Sequence, residues 1–189
     1  MINKAVIEEA FENKVLDQIK HGRLIVEAER LAERAGIDPT WICTTALTLG
    51  QNEISYLRQC RKIAREKNVL GLVYYTKEDL NSRFSLMVGA LIRMFIDAQM
   101  KTVQDIVYLV EDGDRVEADV LFIPNFFVTE SFGKYESRKV AALSEVLTHR
   151  SALCQQTVIR IDDKEEFVKR YGASLHNMVE TSMTEMTTS

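Results

Sequence analysis

The stretch from 70 to 95 constrains the fold of this chain more than any other. Leu70-Gly71-Leu72-Val73-Tyr74-Tyr75 is a short apolar run, rich in β-formers, that stops abruptly at polar residues. Thr76-Lys77-Glu78-Asp79-Leu80-Asn81-Ser82-Arg83 follows as an eight-residue connection. An apolar pattern of helical period then predicts a helix over 84–99, with Phe84, Met87, Val88, Leu91, Met94 and Phe95 inward. Strand, connection and helix in this order can wrap a phosphate group at a helix N-terminus.

The flanking sequence sets that unit in an α/β chain. Residues 3–20 place Val6, Ile7, Ala10, Phe11, Val15, Leu16 and Ile19 on one helical face, and Gly22 breaks the pattern. A second helix carries Leu24 to Ala35 and stops at Gly36, a good C-terminal residue. Asp38-Pro39 predicts a third, short helix ending near Gly50, and Asn52 caps a fourth. The first 67 residues therefore read as an all-helical N-terminal region. Beyond helix 84–99, residues 105–110 fit a strand or a helix, and the acidic 111–117 reads as a loop. Strand 119–123 ends at Pro124, helix 135–150 follows, and 156–161 is another strand. Asp162-Asp163 cap a helix over 164–171, which Gly172 separates from a last helix over 173–180. Strands alternating with helices predict a mostly parallel sheet covered on both faces, an α/β three-layer fold like that of P-loop nucleotide hydrolases. The expected divisions are a helical region over 1–67, an α/β domain over 68–180 and a flexible tail over 181–189.

A P-loop needs glycines so that backbone N–H groups can wrap the phosphates, a lysine for the β and γ oxygens, and a hydroxyl for magnesium. The connection 76–83 has no glycine. Ser82 stands where the lysine belongs and Arg83 where the hydroxyl belongs. Glu78 and Asp79 would repel a triphosphate. One like-charge pair at 4 Å and an effective dielectric near 20 costs about 4 kcal/mol, and Lys77 and Arg83 offset this only in part. The second nucleotide element is an apolar strand ending in carboxylates that hold magnesium. Val120-Leu121-Phe122-Ile123 fits the strand, but it ends in Pro124 and Asn125, neither of which supplies a carboxylate.

Asp119-Val120-Leu121-Phe122-Ile123-Pro124-Asn125-Phe126 resembles the second nucleotide motif of bacterial replicative-helicase loaders, AAA+ proteins related to the initiator ATPase. Residues 143–150 are similar to their helix leading to a short basic loop. Gln156-Thr157-Val158-Ile159-Arg160-Ile161 resembles their sensor strand, and Lys164-Glu165-Glu166-Phe167-Val168-Lys169-Arg170-Tyr171-Gly172 their next helix. The resemblance covers about 68–180. It implies an AAA+-like fold and a setting in DNA replication or a mobile element. Two further departures accompany those above. Arg160 and Asp162 flank Ile161 where the family has an Asn-type residue, and Leu175-His176-Asn177-Met178 occupies the place of an arginine aimed at the nucleotide. Four nucleotide-contacting positions are lost together, so the chain is expected to be a pseudo-ATPase with no catalytic residue, cofactor or metal.

Outside that region, Arg58, Arg61, Lys62 and Arg65 form one basic stripe at helical spacing. The stripe suits a phosphate backbone, an acidic partner, or the chain's own acidic stretch Glu111, Asp112, Asp114 and Glu117, within a chain or between chains. Phe122, Phe126, Phe127, Phe132 and Tyr135 gather near a strand end. They read as core, or as an interaction surface if Phe126 and Phe127 are exposed together. A net charge of −4 argues against general coating of nucleic acid. Three widely spaced cysteines without a CxxC indicate neither a zinc site nor a disulfide framework, and suit a reducing cytoplasm. No flanking motif supports a catalytic pair of His149 and Cys154, and no run approaches membrane-spanning length.

The leading expectation is a non-enzymatic AAA+-like protein that binds a partner ATPase, helicase or sister subunit as adaptor, loader-like factor or inhibitor. The alternatives are a nucleic-acid-binding accessory protein using the basic stripe, and a residual ATPase active only in a mixed assembly.

Overall fold

The computed structural model describes residues 2–66, 69–126 and 136–187. Five strands form one all-parallel sheet in the order β2-β3-β4-β1-β5: β1 (Gly71–Tyr75), β2 (Ala98–Met100), β3 (Val120–Ile123), β4 (Gln156–Ile161) and β5 (Met183–Met186). The helices are α1 (Lys4–Glu12), α2 (Gly22–Val26), α3 (Ala28–Ala35), α4 (Thr40–Cys43), α5 (Gln51–Glu66), α6 (Asn81–Arg93), α7 (Val103–Glu111), α8 (Glu136–Ala152) and α9 (Lys164–Ser182).

Alternate strand residues point to opposite faces, and this divides the core in two. Leu72, Tyr74, Val120, Phe122 and Val158 pack with buried residues of α2 to α6. Val73, Leu121, Ile123, Ile159 and Ile161 pack with α7, α8 and α9 on the other face. The strands read as continuous apolar runs because both of their faces are buried. The three-layer α/β fold expected from sequence is present, and α2 to α5 share one core with the sheet. Gly71 serves a close approach: a Cβ there would lie 1.6 Å from the Thr157 carbonyl oxygen of β4. Gly89 does the same for α6, where a Cβ would lie 2.3 Å from the Trp41 carbonyl oxygen.

Strands β1, β3 and β4 lie where the sequence puts them, Pro124 follows β3, and Asp163 caps α9 by accepting from the Glu166 N–H at 2.9 Å. Gly172, at φ 80°, breaks α9 as expected. The break turns the helix back on itself, so Lys164 at its start meets Glu180 near its end at 3.0 Å. Other expectations are corrected. The first helix stops at Glu12, with Lys14 at φ 56°. The second helix is two, α2 and α3, and the third ends at Cys43 rather than near Gly50. The ambiguous 105–110 lies in α7, started by a Thr102–Asp105 capping box. The helix after β1 covers 81–93, not 84–99. Its pattern ends at a turn that exposes Met94 and Phe95, and 98–100 leaves it to pair with β3 as β2. The tail over 181–189 does not simply fray. Met183–Met186 pairs in register with β1, so backbone hydrogen bonding holds a segment whose side chains carry little strand signal.

Candidate functional site

Parallel α/β sheets bind ligands beyond the carboxyl ends of their strands. Here that edge is formed by the ends of β1, β3 and β4, with the connection between β1 and α6 above it. The eight-residue connection is corrected to five residues, 76–80. Asn81, Ser82 and Arg83 belong to the first turn of α6. Leu80 is the N-cap and makes no side-chain capping bond; the Thr76 and Asp79 side chains instead close local turns ahead of the helix, each accepting from the N–H two residues on.

Two of the connection's N–H donors, and that of the first residue of α6, are already used. The Thr76 N–H donates to the Ile161 carbonyl of β4 at 3.1 Å. The Glu78 N–H donates to Thr76 Oγ1 at 3.1 Å. Asn81 donates its backbone N–H and its side-chain amide to Asp79 Oδ1, at 2.9 and 2.7 Å. A carboxylate of the chain thus stands at the helix N-terminus, the position an anionic ligand would take.

Arg160, the penultimate residue of β4, closes the connection from below. Its Nη1 donates to the Glu78 carbonyl at 2.8 Å, and its Nη2 is paired with the Asp162 carboxylate. The side chain is buried, and its Nε has no hydrogen-bond partner. In a glycine-rich phosphate loop the N–H groups face the ligand. Here a carbonyl of the connection is turned to a guanidinium of the same chain.

The remaining residues of the site are also engaged or displaced. Arg83 points toward α5, 3.4 Å from Glu53. Glu53 is only 2% exposed, and its carboxylate also accepts from the Tyr74 hydroxyl at 2.7 Å and the Gly50 N–H at 2.8 Å. Burial first, then the Glu53 charge, pushes the Tyr74 phenol far above its ordinary value. Lys77 is exposed and its charge helps hold the Asp163 carboxyl low, after the Glu166 backbone bond. Ser82 is exposed, Pro124 is buried and Asn125 is half-buried.

Tyr75, the last residue of β1, donates to Glu180 Oε1 at 2.5 Å, and Lys164 lies 5.1 Å from its ring centroid. The folded-back α9 is thereby fixed beside the connection. Phe126 is corrected from a binding residue to a core residue. Its ring packs against Phe167 and Tyr171 at 5.6 and 5.1 Å, and the Tyr171 hydroxyl donates to its carbonyl at 2.6 Å. The sequence conceals this because the covering rings lie more than forty residues away. Phe127 lies outside the described residues.

The basic stripe is at the opposite edge of the sheet, not beside the connection. Arg58 and Lys62 are exposed on α5. Arg61 donates to the Phe95 carbonyl at 3.1 Å and pairs with Asp119, just before β3, at 3.2 Å. The side chain of Arg65 lies outside the described residues. Asp119 is the intramolecular partner of Arg61. Among the described residues no group of three or more His, Cys, Asp or Glu side chains is placed to hold a metal ion. No helix among them is long and apolar enough to cross a membrane.

Solved structures of three replication proteins share this arrangement. The chain matches the DnaC helicase loader over 86% of its own length and 100% of that chain, with TM-score 0.53 and 11% identity. It matches DnaI over 80% of its length and 94% of that chain, with TM-score 0.55 and 10% identity. The chain shares the fold of these two structures. The AAA+ domain of AMPPCP-bound DnaA from Aquifex aeolicus shares it too, over 75% of this chain and 48% of that one, with TM-score 0.51 and 9% identity. No protein-family model matches the sequence, and no curated protein sequence matches it significantly. The shared fold is therefore carried here by a sequence that shares about one residue in ten with these structures, and its strand-end connection is wired to the chain itself.

Proposed function

We propose that this protein is an AAA+-like module of DNA replication that no longer takes nucleotide and acts by binding a replicative helicase or a sister AAA+ ATPase. One observation carries the reading: Asp79 accepts from the Asn81 N–H at the start of α6 and Arg160 donates to the Glu78 carbonyl, so the chain bonds its own groups in the connection that a phosphate loop would leave facing a ligand. To bind there, a nucleotide would have to displace the Asp79 carboxylate, break the Arg160–Glu78 bond and face the exposed carboxylates of Glu78 and Asp79. Losing one hydrogen bond to a charged group costs about 1.5–3 kcal/mol, and micromolar affinity totals only about 8 kcal/mol. A retained scaffold with an internally satisfied site suits a protein whose function lies in its surfaces. The resemblance to helicase loaders supports a replication partner.

Titration calorimetry of the isolated protein with magnesium–ATP tests the nucleotide half, with Arg160→Met measured alongside. Neither protein is expected to bind ATP at submillimolar concentration. Micromolar binding by the wild type would overturn the reading. The partner half is tested by sedimentation of the protein with the replicative helicase of its own host, with and without ATP. Co-sedimentation that does not need ATP on this chain is the expected result.

A further inference from the structure

We propose that the amino-terminal edge of the sheet is a docking surface for a second copy of this chain, related by a two-fold axis that lies in the plane of the sheet, perpendicular to the strands. The surface lies opposite the connection, so it does not depend on the nucleotide reading. Seven large apolar side chains are exposed among the described residues, and four of them stand at or near this edge. Met94 and Phe95 occupy the turn before β2, Leu153 the turn before β4, and Tyr108 the last turn of α7, whose chain leads back to β3. Phe95 and Leu153 are 54% and 55% exposed.

Phe95 carries a second signal. It terminates α6 at φ 57°, with the Ile96 N–H bonded back to the Leu91 carbonyl. Glycine is favoured at this position, and an L-residue there costs about 1–2 kcal/mol. A bulky ring held in that conformation, half in solvent and stacked on His21 at 5.8 Å, is strain that burial in the free chain compensates only in part. A partner that covers the ring would supply the burial.

Charge identifies the partner. On the α5 side this edge presents Arg58, Arg61 and Lys62. On the α7 side it presents Glu111, Asp112, Asp114 and Glu117, interrupted by Arg115. The two groups belong to opposite faces of the sheet. Layers pack about 10 Å to either side of a sheet, and the Debye length is about 8 Å, so the groups neutralise each other poorly within one chain. Arg61 and Asp119 meet near the middle of the edge, and Arg34–Asp97 is a further neutral pair beside β2. A two-fold axis sets the basic half of one copy against the acidic half of the other, twice, with the apolar turns between them. That is the self-complementarity an isologous interface requires.

Sedimentation velocity over a concentration series at low and high salt tests this, using the whole chain. A dimer that dissociates as salt rises is expected. Arg58→Glu and Asp112→Lys should each weaken it about tenfold, and the double variant should recover most of the loss, because the pair is remade across the axis. Both residues are exposed, and a lysine at 112 suits the end of α7, so circular dichroism should show both variants folded. Cys154, the one exposed cysteine, adjoins Leu153, and its labelling by a thiol reagent should slow as protein concentration rises. A monomer at every concentration overturns the proposal. So does a dimer that the double variant fails to restore. A monomer that binds a single-stranded oligonucleotide or an acidic peptide through Arg58 overturns it in favour of that occupant.

Discussion

Each end of the sheet is closed by a buried arginine, and the two arginines are not equivalent. Arg150, at the amino-terminal end, is 1% exposed. It donates to the carbonyls of Val116, Ala118 and Gln156 at 3.0, 2.9 and 2.6 Å, and to Thr157 Oγ1 at 3.0 Å. Burial pushes its guanidinium down to about 10, yet its donors are spread over four backbone and hydroxyl acceptors. Arg160, at the carboxyl end, has one carbonyl, one carboxylate and an unpartnered Nε. The first arginine is a clamp, joining the start of β3 to the start of β4. The second fills a place at the ligand-binding edge of the fold and satisfies it incompletely. The difference teaches where the chain spent its polar groups. Beneath the amino-terminal edge the Arg150 donors are bonded, and the surface above exposes Met94, Phe95 and Leu153. At the carboxyl edge the surface is quiet and the layer beneath it holds the unpaired donor.

The comparison breaks most visibly at Arg150. Arg150→Met should cost about 3–5 kcal/mol, because several buried acceptors lose their donor at once. Urea denaturation measures it. A loss below about 1 kcal/mol would mean that the clamp is dispensable.

Alkaline pH probes both ends together. Burial first of all raises the phenols of Tyr56 and Tyr74 well above their ordinary value. Tyr56 donates to Gln156 Oε1 at 3.0 Å near the amino-terminal end, and Tyr74 to Glu53 near the other. Below pH 10 both are neutral whether folded or unfolded, so their contribution is fully present. Above about pH 10 the unfolded phenols ionise while the folded ones stay protonated, and stability falls by about 1.4 kcal/mol per pH unit for each. Tyr56→Phe should remove one share of that slope and Tyr74→Phe the other, read from urea midpoints at rising pH. An unchanged slope in both variants would show that the phenols are not held neutral.

The smallest effect is expected at Phe95. Phe95→Gly relieves the left-handed backbone, worth about 1 kcal/mol, and forfeits a stacked ring worth about 0.5–1.5 kcal/mol. Thermal stability of the monomer should barely move while self-association weakens. A monomer destabilised by more than about 2 kcal/mol would make the ring a structural element of the free chain.

Much of the fold was legible in the sequence because its signals are local. Val120-Leu121-Phe122-Ile123 and Gln156 to Ile161 are apolar at successive positions, which suits a strand buried on both faces. Gly36 and Asp163 mark helix ends through their own backbone and side-chain chemistry. The candidate site was legible only as a deficit: the connection 76–83 has no glycine, and Ser82 stands where the lysine belongs. What replaced them could not be read along the chain. Arg160 reaches Glu78 across 82 positions, and Tyr75 reaches Glu180 across 105. Phe126 read as core or as interaction surface, and only the rings of α9 that pack on it decide for core.

The sequence by itself determined that this is an alternating α/β chain, where its three central strands lie, and that the connection after the first of them lacks the glycines of a phosphate loop. Each of these follows from side-chain period or from the absence of a required residue, and neither needs a neighbour distant in sequence. Only the tertiary structure decided that 98–100 and 183–186 are strands, because each is held by backbone bonds to a partner strand rather than by its own pattern. Only it decided which charges are spent and which are offered. Arg61, Arg83 and Arg160 look alike in the sequence, and their roles differ because chain closure gives them Asp119, Glu53 and the Glu78 carbonyl as partners.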